Sequence, residues 1–210
     1  IGYAALDGTG AESVDDVAAV GYSALGGAAE VQVAGSVAIG TNACLSTTTA
    51  VGTVAIGYEA CLYNATGDNN TYIGYNSGKG ASGQSQASNT GVGHSSLMAI
   101  TDGHSNVAVG HVAGDTITTG DGNVCIGHAA DVDSSSAENR YVIGYAYEGT
   151  TDFAVHIGNN VSHIRCDYNT DQTWDASSDR RQKKDIEESE LGLDFIKDLK
   201  PSKYRYKSPS

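Results

Sequence analysis

Ser36-Val37-Ala38-Ile39-Gly40 is followed by Thr53-Val54-Ala55-Ile56-Gly57, and the phrase returns as Asn106-Val107-Ala108-Val109-Gly110 and Asn123-Val124-Cys125-Ile126-Gly127. Looser copies bring the motif glycines to ten: Gly2, Gly21, Gly40, Gly57, Gly74, Gly93, Gly110, Gly127, Gly144 and Gly158. Their intervals are 19, 19, 17, 17, 19, 17, 17, 17 and 14 residues. A fixed period of this length signals a repeat architecture, and it is too short for a helix pair. Alternation within Val37-Ala38-Ile39 is that of a strand showing opposite faces to its surroundings. Each glycine then allows the sharp turn that ends the strand. Polar clusters such as Thr66-Gly67-Asp68-Asn69-Asn70 and Thr119-Gly120-Asp121-Gly122-Asn123 supply turn chemistry between coils. The expected fold is an all-β solenoid or β-roll, one motif per coil, about 50 Å long if ten coils stack at roughly 4.8 Å each. So thin a coil buries little, which points to association with other copies.

Composition agrees: 27 Gly, 2 Pro and few aromatic residues suit a narrow interior lined by Ala and Val. Small residues recur three places after the glycine, as Ala24, Ala43, Ala60, Ser77, Ser96, Ala113 and Ala130. Cys44 and Cys61 share one register of adjacent coils and Cys125 replaces a motif Ala, so they read as small core residues. A stacked Cys44–Cys61 bridge is the alternative. Charge is uneven. Residues 1–170 carry Lys79, Arg140 and Arg165 against sixteen acidic residues, a net of −13, while 171–210 hold nine of each sign. Such an acidic surface disfavours nucleic acid and anionic membrane, and no apolar run has the length of a bilayer span. The start at Ile1, in mid-repeat, and the abrupt end at Ser210 suggest a piece of a longer polypeptide.

The repeat resembles the head domains of trimeric autotransporter adhesins and similar rods in phage tail fibres. That resemblance implies left-handed β-rolls that associate as homotrimers. The expected organisation is a solenoid shaft over residues 1–168, a junction over 169–177, and a different, small α+β module from 178 onward. In the module Leu191, Phe195 and Leu199 fall on one helical face before Pro201, and Tyr204 and Tyr206 alternate with basic residues as in a half-buried strand.

Several spaced elements carry a second resemblance: Ser178-Asp179, Arg181, Lys183, Asp185-Ile186, Gly192-Leu193-Asp194-Phe195-Ile196, and Leu199-Lys200-Pro201 before Tyr204-Arg205-Tyr206. They are similar to the start of the endosialidase-type intramolecular chaperone domain of phage tail fibres and tailspikes, only the first part of which fits in the residues present. The resemblance implies that the domain drives trimerisation and then cuts itself free at Ser178–Asp179, with Ser178 as nucleophile, Lys183 as base and Arg181 in support. A serine needs a proton acceptor, and a lysine serves only where burial or adjacent positive charge lowers its pKa. Arg180, Arg181 and Lys184 supply such charge; without the resemblance, Ser178 reads as a helix cap and residues 180–184 as a solvated charge run.

The residue after each motif glycine forms another series: Tyr3, Tyr22, Thr41, Tyr58, Tyr75, His94, His111, His128, Tyr145 and Asn159. Three readings stand side by side. The rings pack between coils or protomers; or they face solvent, and Tyr58, Tyr75, His94, His111, His128 and Tyr145 contact a glycan receptor; or they face a threefold axis, where His94, His111 and His128 hold a metal or anion. No calcium-type nonapeptide, P-loop, nucleotide fingerprint or other cofactor motif is present. The expected role is structural and adhesive: the distal part of a homotrimeric phage tail fibre in the virion, whose partners are upstream tail or baseplate proteins and a host-surface receptor. A bacterial surface adhesin and a self-processing serine–lysine peptidase element are the alternatives. Catalysis would extend at most to one self-cleavage.

Overall fold

The computed structural model describes residues 1–7, 15–27 and 33–170, and the backbone of 174–176. Among these there is no helix. Strands β1 (Ala18–Val20), β2 (Val37–Ile39), β3 (Val54–Ile56), β4 (Thr71–Ile73), β5 (Thr90–Val92), β6 (Val107–Val109) and β7 (Val124–Ile126) are three residues each, one per coil. After β8 (Ala130–Val132) come β9 (Arg140–Tyr145), β10 (Tyr147–Gly149), β11 (Ala154–Asn159), β12 (His163–Asp167) and β13 (Trp174–Ala176). β1 to β7, β9 and β11 form one parallel ladder in register, Val37 beside Val54 and Ile39 beside Ile56. The parallel pair β8 and β10 makes a second, short sheet. This is the expected β-solenoid. Its first motif, at Ile1-Gly2, joins by a bond from the Gly21 amide to the Ile1 carbonyl (2.9 Å) without forming a strand. Beyond β11 the chain reverses through residues 159–162. β12 and β13 then run antiparallel on the same sheet, so β13 of the expected junction closes its end.

Why the motif must contain glycine is visible at Gly93. Its φ is +136°, and a Cβ there would lie 2.2 Å from the Gly110 carbonyl oxygen of the next coil. The same overlap recurs along the column, so each glycine admits its neighbour at backbone distance. Positions two and four beyond the glycine are left-handed even when occupied by Asn42, Cys44, Leu97 or the β-branched Val112. Neighbouring coils hold them there: the Asn42 amide donates to Tyr22 O (2.9 Å) and the Cys44 amide to Ala60 O (3.0 Å). Strain that one coil would relax is fixed by the two beside it.

Inside, the middle residue of each strand from β1 to β7 points to the core, and so does the small residue three places after the glycine. Cys44, Cys61 and Cys125 are buried free thiols, as the core reading expects, and Cys166 is a half-buried one. The neighbouring Cys44, and then burial, push the Cys61 thiol up. Tyr72 is fully buried where other coils have Ala, and the space comes from glycines: a Cβ on Gly78 would lie 2.3 Å from its ring.

A polar column also runs through this narrow core. Asn70, Asn89, Asn106 and Asn123, each four residues before a motif glycine, are fully buried. The Asn106 Nδ2 donates to Asn89 Oδ1 (3.1 Å) and Gly120 O (2.7 Å), and its Oδ1 accepts from the Asn123 amide (2.9 Å) and Nδ2 (3.0 Å). Neighbouring members repeat the pattern, and the series ends where the Arg140 amide donates to Asn123 Oδ1 (3.0 Å). The Arg140 side chain turns to Asp133, to Asp152 (2.6 Å) and to Gly149 O (2.6 Å), ion pairs and a hydrogen bond that close the polar column.

Candidate functional site

The first and third residues of β1 to β7, and the second and fourth of β9 and β11, face away from the core. Val20, Ile39, Ile73, Val109, Ile126, Ile143 and Ile157 are each between 37% and 42% exposed, and the strand register places them in one line. Half-buried Val37, Val54, Val107 and Val124 form a parallel line on the same face. Branched aliphatic residues on a strand are usual; an unbroken outward column of them across the length of an acidic solenoid is the unusual feature.

One residue past the glycine, the ring series forms a physical stack. Tyr58 and Tyr75 have centroids 5.1 Å apart, Tyr75 and His94 5.1 Å, His94 and His111 5.0 Å, His111 and His128 5.0 Å, and His128 and Tyr145 5.1 Å. Tyr3 and Tyr22 stack separately at 5.5 Å, cut off by Thr41. Lys79 fixes the start of the longer stack. It donates to Glu59 (2.6 Å), whose carboxyl it holds below the usual range, and Glu59 in turn raises the Tyr58 hydroxyl.

This geometry limits the chemistry. Rings 5 Å apart and nearly parallel cover one another's faces, so Tyr75, His94, His111 and His128 present only their edges to solvent. A sugar ring cannot stack between them. Imidazole lone pairs lie in the ring plane, so parallel rings cannot converge on one ion. Among the described residues no group of three or more His, Cys, Asp or Glu could hold a metal. A metal on His94, His111 or His128 would therefore need ligands from the same layer of other copies. The free ring faces are at the stack ends. At Tyr145, which is 64% exposed, the next rung is Asn159 rather than a ring. A cleft of about 300 Å³ opens there, lined by Tyr145, Ala146, Asn159, Asn160 and Val161.

Two buried ionisable groups lie near this end. Asp131 on β8 accepts from the Thr116 amide (3.2 Å), and burial, aided by the adjacent Asp115, pushes its carboxyl up to about 6. His156 on β11 is fully buried, shares a hydrogen bond with the Tyr147 hydroxyl (3.1 Å), and is held below its ordinary range by burial. Neither was singled out in the sequence, where each is one more polar residue in a strand-length segment.

Ser178, Asp179, Arg181 and Lys183 lie outside the described residues, as do the expected helical face of Leu191, Phe195 and Leu199 and the strand around Tyr204 and Tyr206. Their segment, 178–210, is a unit separate from Ile1–Ser177. No curated protein and no solved structure matches the chain. Residues 178–210, where the solenoid has ended, do match the model of one family, Peptidase_S74, the chaperone of endosialidase.

Proposed function

We propose that this chain is the shaft of a homotrimeric phage tail fibre, followed by a chaperone segment that drives trimerisation. The observation that carries this reading is the outward Ile and Val column on a solenoid that leads into a segment of the endosialidase-chaperone family. Three copies meeting along that column would remove it from water, and one register per coil would bring identical residues together in every layer. The long acidic surface left outside keeps the rod soluble. Attachment is multivalent: three shafts present the same weak contacts to a host surface, and avidity supplies what one contact lacks. Maturation is a single hydrolysis at Ser178–Asp179: Lys183 takes the Ser178 hydroxyl proton as the oxygen attacks the scissile carbonyl, the proton leaves on the freed Asp179 amine, water then cleaves the ester, and Arg181 adds positive charge. The assembled fibre belongs to the virion and joins upstream tail or baseplate proteins.

The test uses the full-length protein beside its Ser178→Ala and Lys183→Ala variants, with denatured mass and native mass measured on each. The expected result is a trimer cut between Ser178 and Asp179, and an uncut chain in both variants. An uncut wild-type trimer would sink the cleavage and leave the segment as an assembly aid. A monomer would sink the fibre.

A further inference from the structure

The ring stack ends at Tyr145, where the next rung is Asn159 rather than a ring, and we propose that the cleft beside it binds a neutral hexopyranose. The proposal rests on the attachment reading above and names its ligand class and site. Each inner ring is covered on both faces by neighbours about 5 Å away, but beyond Tyr145 the series continues with Asn159, leaving one aromatic face open. That face floors the cleft of about 300 Å³, a size at the lower limit of small-molecule sites. Val161, 77% exposed, forms an apolar wall, while Asn159 and Asn160 place amides on the rim.

An apolar floor with amides at the edge suits a ring that has a C–H face and a hydroxyl perimeter, which is what a pyranose is. Asn159 is already positioned: its Oδ1 accepts from the Val161 amide (2.9 Å) and the Ser162 amide (2.8 Å), so its Nδ2 remains to donate to a hydroxyl. Those bonds also shape the turn that carries Val161, so the wall is set before any ligand arrives. Charge selects among sugars. Residues 1–170 have a net of −13, which disfavours an acidic saccharide and leaves a neutral one.

The experiment titrates the full chain with methyl glucopyranoside, methyl galactopyranoside and methyl mannopyranoside. A methyl sialoside and p-cresol serve as the charged and aryl probes, and saturation transfer and tyrosine ring resonances are followed by NMR. At least one neutral pyranoside is expected to bind with a Kd of roughly 1 mM, reasonable for a ligand of this size. Tyr145→Phe should keep the binding and Tyr145→Ala should weaken it by about tenfold or more. Tyr22→Ala, at the separate pair of rings, should leave it unchanged. Circular dichroism of each variant reports whether the solenoid persists. Binding of p-cresol or the sialoside in preference, binding indifferent to Tyr145→Ala, or no pyranoside binding at all would overturn the proposal. Native mass is read on the same samples: a trimer that binds no pyranoside removes the subsite alone, and a monomer that binds one through Tyr145 supports the subsite while removing the fibre.

Discussion

Truncating Asn106 to Ala should remove a rung from the buried polar column and unsettle the coils on both sides. The side chain is fully buried and takes part in four hydrogen bonds, donating to Asn89 and Gly120 and accepting twice from Asn123. Two of the groups it leaves have other partners: Asn89 Oδ1 still accepts from the residue 106 amide (2.8 Å), and Asn123 Nδ2 still donates to Ala137 O (2.7 Å). The Asn123 amide and the Gly120 carbonyl lose theirs in a dry interior. At about 1–3 kcal/mol for each orphaned group, the cost per chain is about 4 kcal/mol. For a chain of this size that lowers Tm by roughly 8–16 °C, read by circular dichroism at fixed protein concentration. Asn106→Asp sharpens the test, because it sets a carboxylate against two acceptors, Asn89 Oδ1 and Gly120 O. The folded protein will then hold that carboxyl protonated, so the variant should be less stable at about pH 7.5 than at about pH 4. An Asn106→Ala variant melting within about 2 °C of the parent would refute the reasoning, since neither orphan would then carry a measurable cost.

Gly93→Ala puts a Cβ 2.2 Å from the Gly110 carbonyl at a φ of +136°, and should destabilise by about 3 kcal/mol or more, seen as lost soluble yield or a lowered Tm. Asp131 carries a folded pKa of about 6 against an ordinary 3.8, so the folded state binds its proton more tightly and stability falls as pH rises through that window. Asp131→Asn should therefore raise Tm near pH 7.5 and change it little below about pH 4; an unchanged Tm at the higher pH would contradict this. His156 has the opposite sign: its folded pKa is depressed, so its contribution is complete above the ordinary histidine value of about 6.5 and lost as pH falls below it. His156→Gln should flatten that acid limb of a Tm-against-pH curve. Ile126→Asp, in the outward aliphatic column, should leave the circular dichroism spectrum intact while light scattering shows a shift from trimer to monomer; a retained trimer would remove that column from the interface.

Chain-local physics made much of this protein legible from its sequence. A period of 17 to 19 residues, a strand-like triplet and a glycine in constant register are enough to imply a solenoid, because stacking copies of one coil aligns like residues without further information. The same logic put the aromatic residues in a column and made the cysteines core residues. Asn106 and Asn123 stood in plain view at the head of their motifs, and equivalent spacing from Gly74 and Gly93 could have revealed the column. Their role depends on burial, however, and a polar residue before a strand reads equally well as a turn. Only the tertiary structure decided that Ile39 and Ile126 face outward and that Val37 and Val124 lie half-buried on the same face, since alternation fixes opposite faces but not which is the core. It also decided that the stacked rings cover each other's faces, that the chain reverses after β11, and that burial displaces the titration of Asp131 and His156 in opposite directions. Those properties arise from distances between coils and from exclusion of water, which residue order constrains but does not contain.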